Sequence, residues 1–168
     1  MIKVVITGPE SSGKTTLCEE LARHYNLKFV KEYSRDYLDT RDGHYSQEDL
    51  IAIAKGQIAR EDGYAHQPLL VCDTSLEVIR IWSLWKYQNC ADYITESAKS
   101  RTPNLFLLLK PDIPWQADPQ RENPHDRHEL FDFYQKDLII YNCLVHEISG
   151  TRKERLQDAI AAIDNLIN

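Results

Sequence analysis

With 168 residues, 42% of them hydrophobic and 27% charged, the chain has the length and balance of one globular domain with a sizeable core. A formal net charge of −6 excludes a general nucleic-acid or membrane-surface binder, because no basic field exists to attract phosphate backbones, while a small anionic ligand needs only a local basic pocket. No apolar run is long enough to cross a bilayer, the opening MIKVVITG lacks a signal-peptide layout, and four scattered cysteines (Cys18, Cys72, Cys90, Cys143) without a CxxC pair fit a reducing, cytoplasmic location.

Ile2–Thr7 (IKVVIT) is a β-branched strand that ends in a glycine loop. The helix after it sets Leu17, Cys18, Leu21, Ala22 and Tyr25 on one face. Leu27–Val30 reads as a second strand. Ser46 is suited to cap a helix that carries Gln47, Glu48 and Asp49 in its first turn and runs to Gly63. Leu69–Asp73 is a third strand, followed by a helix that begins within TSLEVIRIWSLWKYQ, and Leu105–Leu109 is a fourth. Leu130, Phe131, Tyr134, Leu138 and Tyr141 mark another helix, and Cys143–Ile148 is a fifth strand. Thr151 and Glu154 have capping-box spacing and start a last helix through Leu156, Ile160 and Ile163. Apolar strands alternating with helices predict an α/β fold with a five-stranded parallel sheet covered on both faces.

GPESSGKT, Gly8 to Thr15, matches G-x-x-x-x-G-K-[ST] between a strand and a helix. Glycines let this backbone curl with its N–H groups inward, and the helix N-terminus adds positive potential for phosphate. The run Gly8, Pro9, Glu10, Ser11, Ser12, Gly13, Lys14, Thr15 and Thr16 is therefore the candidate ATP cradle. Lys14 supplies charge to the β- and γ-phosphates, and the Thr15 hydroxyl suits Mg2+. Glu10 either reaches outward to another group or stays solvated. Asp73, at a strand end, is placed as the second metal-side carboxylate or as a cap on the next helix.

No N-K-x-D guanine motif follows a late strand, Thr74 stands where a motor ATPase carries glutamate, and no LSGGQ-like signature occurs. What remains is a small P-loop kinase of metabolites, of nucleoside/nucleotide kinase type, with three layers. Such a kinase needs a carboxylate to orient or deprotonate the acceptor hydroxyl. KEYSRDY, after the second strand, offers Glu32, with Asp36 as the alternative and Arg35 to hold substrate or phosphate. The run 111–129 holds four of the seven prolines and carries Trp115, Arg121 and Arg127, the make-up of a lid after the fourth strand. His125 and His128 lie in the same run and do not form a metal pair with any neighbouring cysteine. Gly150 to Arg152 are positioned for the adenine edge.

GPESSGKTTL, EYSRDY, VCDTS and PWQADPQR together resemble the ribosylnicotinamide kinase domain of bacterial multifunctional NAD-salvage proteins. The resemblance implies transfer of the ATP γ-phosphoryl to the 5′-hydroxyl of nicotinamide riboside, with a mobile lid and roles for Lys14, Glu32, Asp36 and Arg121 in catalysis. Glu32, Tyr33, Arg35, Asp36, Asp73 and Trp115 are the candidate substrate-binding residues. The family often has tryptophan before its E-Y segment where this chain has Lys31, so Trp115, Tyr33 or Tyr37 would have to stack on the pyridinium ring. Any adenylyltransferase activity would reside in a separate partner. Another nucleoside or metabolite kinase, and a regulatory ATP-binding module that gates a protein interaction, are the alternative functions.

Overall fold

The computed structural model describes residues 1–41, 43–118, 120–122 and 125–167. Of the proline-rich run, Pro119, Asn123 and Pro124 lie outside the described residues.

Strands buried on both faces read as continuous apolar runs; three such runs pair here with a fourth, edge strand whose Leu144 and Val145 are exposed. β1 (Ile2–Thr7), β2 (Leu69–Asp73), β3 (Leu105–Leu109) and β4 (Leu144–Ile148) form one parallel sheet in the order β2-β1-β3-β4. Val4 lies opposite Val71 on one side and Leu105 on the other. The pleat sends Val4 and Ile6 into one core with Leu17 and Leu21 of α1 (Lys14–His24) and Ala159 and Ile163 of α7 (Arg152–Ile167). Val5 joins the opposite core, with Leu50 and Ile53 of α3 (Gln47–Asp62), Ile79 of α4 (Leu76–Tyr87), Ile94 of α5 (Asp92–Ser100) and Tyr134 of α6 (Arg127–Leu138). Each fully buried aliphatic side chain contributes about 1.5–3 kcal/mol, so both faces must be covered.

The sheet has four strands where the sequence suggests five. Leu27–Val30 is reduced to one bridge, in which Val30 donates to the Val71 carbonyl and accepts from the Asp73 N–H, both at 2.8 Å. The Gln67 side chain takes the place of a longer ladder. Its Oε1 accepts from the Lys28 N–H at 3.1 Å and its Nε2 donates to the Lys28 carbonyl at 2.9 Å. The lone bridge still delivers the chain to α2 (Tyr33–Asp39) at the carboxyl end of the sheet.

The caps form as their residue types dictate. Ser46 and Asp49 exchange hydrogen bonds at the start of α3, and Glu154 accepts from the Thr151 N–H at 2.7 Å at the start of α7. α5 has no counterpart in the sequence reading. Its cap position, Ala91, offers no side-chain acceptor, and only Ile94 and Ala98 are buried on it.

The loop after β1, the Asp73 end of β2 and the connection from β3 to α6 all lie at the carboxyl edge. Strand order reverses around β1, which opens the crevice where open α/β sheets hold ligands.

Candidate active site

The loop after β1 closes tightly against β3. Gly8 has φ 134°, and a Cβ there would lie 2.6 Å from the Leu109 carbonyl oxygen, so glycine is required on both counts. Ser11 and Gly13 also take left-handed backbone, with φ 55° and 86°. Lys14, the first residue of α1, donates to the Gly8 and Pro9 carbonyls at 2.9 and 2.8 Å and is held over the loop. Burial lowers its pKa, opposed by the charges of Glu32, Asp73 and Glu10.

Thr15 Oγ donates to Asp73 Oδ2 at 2.6 Å. Asp73 Oδ1 is buried without a hydrogen-bond partner among the described residues, and desolvation raises the carboxyl's pKa. A hydroxyl beside a carboxylate with a spare oxygen fits a divalent cation that takes most of its ligands from phosphate and water. No group of three or more potential metal-ligating side chains occurs among the described residues.

Glu32 ends the lone bridge segment and starts α2. It accepts from Ser34 Oγ at 2.7 Å and lies 3.7 Å from Arg35 Nε. Burial raises its pKa, with Asp73 adding to the shift and Lys14 opposing it.

The β3–α6 connection is fastened across the crevice at several points. The Gln116 N–H donates to Ser11 Oγ at 2.9 Å, and the Glu122 N–H to Glu10 Oε1 at 3.1 Å. Asp118 pairs with Arg35 at 3.1 Å, and Glu122 accepts from Tyr45 at 3.3 Å and from Lys86 of α4 at 3.2 Å. Arg121 donates to the Gln116 carbonyl and comes within 4.0 Å of Asp118. Arg127 grips the Ile113 carbonyl with both terminal nitrogens, at 3.0 and 3.1 Å, and reaches the Ser11 carbonyl at 3.3 Å.

A cavity of about 190 Å³ lies between these parts. It brings together Gly8, Glu10 and the run Ser11–Thr16, with Glu32, Arg35 and Arg121. Val78 and Trp82 of α4 and Leu130 and Tyr134 of α6 form its apolar wall.

Other residues singled out in the sequence stand elsewhere. Asp36 is exposed and pairs with Arg60 of α3 at 2.6 Å. The Tyr33 ring packs against Gly56, where a Cβ would be 2.1 Å from it, and Tyr37 donates to Asp49 at 2.7 Å; both rings engage α3. Trp115 sits beside Arg121 and Arg127, whose guanidinium carbons are 5.8 and 5.7 Å from its ring centre, outside the cavity lining. Arg152 is exposed and pairs with Glu20 at 2.5 Å. Lys31 is exposed.

Sequence reasoning passed over Trp82, which lies four residues after Val78 on the same helix face and whose ring stacks with Tyr45 at 6.2 Å. It assigned Leu130 and Tyr134 to the core alone; they are buried, yet they also line the cavity. Arg155, buried behind the loop, carries no motif that would have marked it.

A family profile described as AAA domain matches residues 3–155. The trifunctional NAD biosynthesis/regulator proteins NadR of Salmonella typhimurium (strain LT2) and Escherichia coli (strain K12) are each 32% identical over 126 residues, 70% of this chain. The chain spans about 30% of the length of these curated relatives. A crystal structure of NadR protein in complex with NAD and AMP-PNP superposes with TM-score 0.76 and 22% identity, covering 98% of this chain and 49% of that one. Deoxyadenosine kinase from M. mycoides with bound dATP gives 0.62 and 12%, covering 97% of this chain and all of that one. The two solved structures establish a P-loop kinase-like fold.

Proposed function

We propose that this chain, which belongs to the P-loop family described as AAA domain, is a kinase that moves the ATP γ-phosphoryl group to a hydroxyl of a nucleoside-like metabolite, with nicotinamide riboside as acceptor. One observation carries the reading: the phosphate loop with Lys14, the partly buried carboxylate of Glu32 and an apolar wall that includes Trp82 share a single cavity. A phosphoryl donor, a group to handle an acceptor hydroxyl and a surface for a flat ring are what such a transfer needs. The similarity to NadR proteins supports the choice of acceptor.

In this reading Lys14 leaves the Gly8 and Pro9 carbonyls to meet the β- and γ-phosphates. Thr15 and Asp73 would hold Mg2+, which would neutralise charge on those phosphates. Glu32 orients the acceptor hydroxyl and takes its proton, a role suited to a carboxyl whose pKa burial has raised. Asp36, committed to Arg60 outside the cavity, leaves that role to Glu32. Arg35 steadies the substrate, and Arg121 meets the migrating phosphoryl group. Trp82 replaces Trp115, Tyr33 and Tyr37 as the ring that stacks on the acceptor.

The run 111–129 is the lid of a single kinase domain over residues 1–168. A cavity of about 190 Å³ is below the roughly 300–1,000 Å³ of ligand pockets, so this run must lift to admit nucleotide and acceptor together. The proposed use of ATP favours a cytoplasmic setting, and no helix among the described residues is long and apolar enough to cross a membrane.

ADP release measured across a panel of acceptors tests the proposal. Release that requires nicotinamide riboside supports it. Release only with other nucleosides, such as deoxyadenosine, overturns the acceptor, and slow release indifferent to every acceptor overturns the kinase.

A further inference from the structure

The phosphate loop is held from behind by a guanidinium that never enters the cavity. Arg155, in the first turn of α7, is 5% exposed. Its Nε donates to the Gly150 carbonyl at 2.9 Å, and one terminal nitrogen donates to the Ser12 carbonyl at 2.6 Å. The other donates to the Lys110 carbonyl at 3.1 Å and to Asp112, whose second oxygen accepts from the Gly150 N–H at 2.8 Å.

We propose that Arg155 is a positioning residue for the nucleotide phosphates, acting through the Ser12–Gly13 peptide. A trans peptide is planar, with its carbonyl and the next N–H pointing opposite ways. Fixing the Ser12 carbonyl outward on Arg155 therefore aims the Gly13 N–H inward, and Gly13 lines the cavity. Arg127 does the same one peptide earlier, since it holds the Ser11 carbonyl and so directs the Ser12 N–H. Among the described residues neither N–H has an acceptor in the protein. Left-handed backbone at Ser11 and Gly13 completes an anion nest whose Ser11 and Ser12 carbonyls are held by arginines from outside the loop.

Arginine is required because one planar fork spans four acceptors on three segments. These are the phosphate loop, the root of the β3–α6 connection and the turn after β4. A lysine ammonium keeps the charge opposite Asp112 and cannot span that set.

The inference rests on the loop's binding nucleotide phosphates and not on the identity of the acceptor. The test is calorimetry with Mg2+ and AMP-PNP on the wild-type chain, Arg155→Lys and Asp112→Asn, alongside amide resonances of Ser12 and Gly13. The expected result for a folded Arg155→Lys is about 10- to 100-fold weaker AMP-PNP binding, with a raised KM for ATP and an unchanged KM for the acceptor. Asp112→Asn, which leaves the Ser12 contact in place, lowers the melting temperature and keeps affinity within about threefold. Arg155→Lys binding AMP-PNP like wild type overturns the proposal, as does an Asp112→Asn loss of affinity as large as that of Arg155→Lys. Should Arg155→Lys fail to fold, the wild-type resonances decide: Ser12 and Gly13 amides that move on AMP-PNP addition support the proposal, and amides that stay put overturn it. A wild-type chain that does not bind AMP-PNP at all removes the nucleotide reading and this inference with it. A chain that binds AMP-PNP but phosphorylates no nucleoside removes only the proposed acceptor.

Discussion

The Thr15 hydroxyl donates to the Asp73 carboxylate across 2.6 Å, joining the start of α1 to the end of β2. The other Asp73 oxygen is buried and has no partner among the described residues. Burying a carboxylate with one unsatisfied oxygen is costly, and a cation that fills the site removes that cost. Asp73→Asn is therefore expected to lower kcat by about 100-fold or more and to shift the Mg2+ dependence to higher concentration. A magnesium titration of initial rates at saturating ATP checks both.

Glu32→Gln is expected to lower kcat by about 100- to 10,000-fold while AMP-PNP affinity stays close to wild type. Burial raises the Glu32 pKa, so the acidic limb of the rate profile lies above the ordinary carboxylate range. Activity falls as pH drops through that limb, because the base becomes protonated. The residual rate of Glu32→Gln shows no such limb, which a kcat–pH profile reads directly.

Arg121→Ala is expected to reduce kcat about 10- to 100-fold with little change in nucleotide affinity. Arg121 is occupied by the Gln116 carbonyl and Asp118 here, so its contact with phosphate forms only on rearrangement of the connection. Single-turnover rates beside equilibrium AMP-PNP binding separate the two effects.

Trp82→Ala is expected to raise the acceptor KM about 10-fold and leave the KM for ATP unchanged. Trp115→Ala, outside the cavity lining, should leave the acceptor KM within about twofold of wild type. Initial-rate series in each substrate check the pair.

Glu77 is buried behind the loop, accepts from the Ser75 N–H at 3.2 Å and has its pKa pushed up to about 7, first by desolvation. The folded state thus binds a proton that the unfolded state releases near pH 4.5. The stability contributed by the protonated form is complete below that value and is lost as pH rises to about 7, an effect on the order of 3 kcal/mol. Glu77→Gln should flatten this decline, as urea midpoints at pH 5 and pH 8 will show.

The apolar runs made most of the sheet legible, and GPESSGKT located the loop that lines one end of the cavity. Leu27–Val30 has strand composition, yet a side chain 39 residues distant, Gln67, satisfies the Lys28 backbone and leaves a single bridge at Val30. Such a competition between side chain and backbone leaves no mark in local pattern. Glu32 and Arg35 reach the cavity while Asp36 turns to Arg60, since neighbours on a helix point in different directions and only packing decides which faces inward. Nothing in the helical pattern marks Trp82 or Tyr134 as cavity residues, because an apolar cavity wall and a core have the same periodicity. Arg155 acts through carbonyls, which every residue has, so nothing in the sequence around Ser12 points to it.

The most direct test is product analysis after incubation with ATP, Mg2+ and nicotinamide riboside. Mass spectrometry with phosphorus NMR should find ADP and nicotinamide mononucleotide in equal amounts, with the new phosphate on the 5′-oxygen, and neither product from Lys14→Ala. ADP formed without any phosphorylated acceptor, or nicotinamide mononucleotide made equally well by Lys14→Ala, would contradict the account.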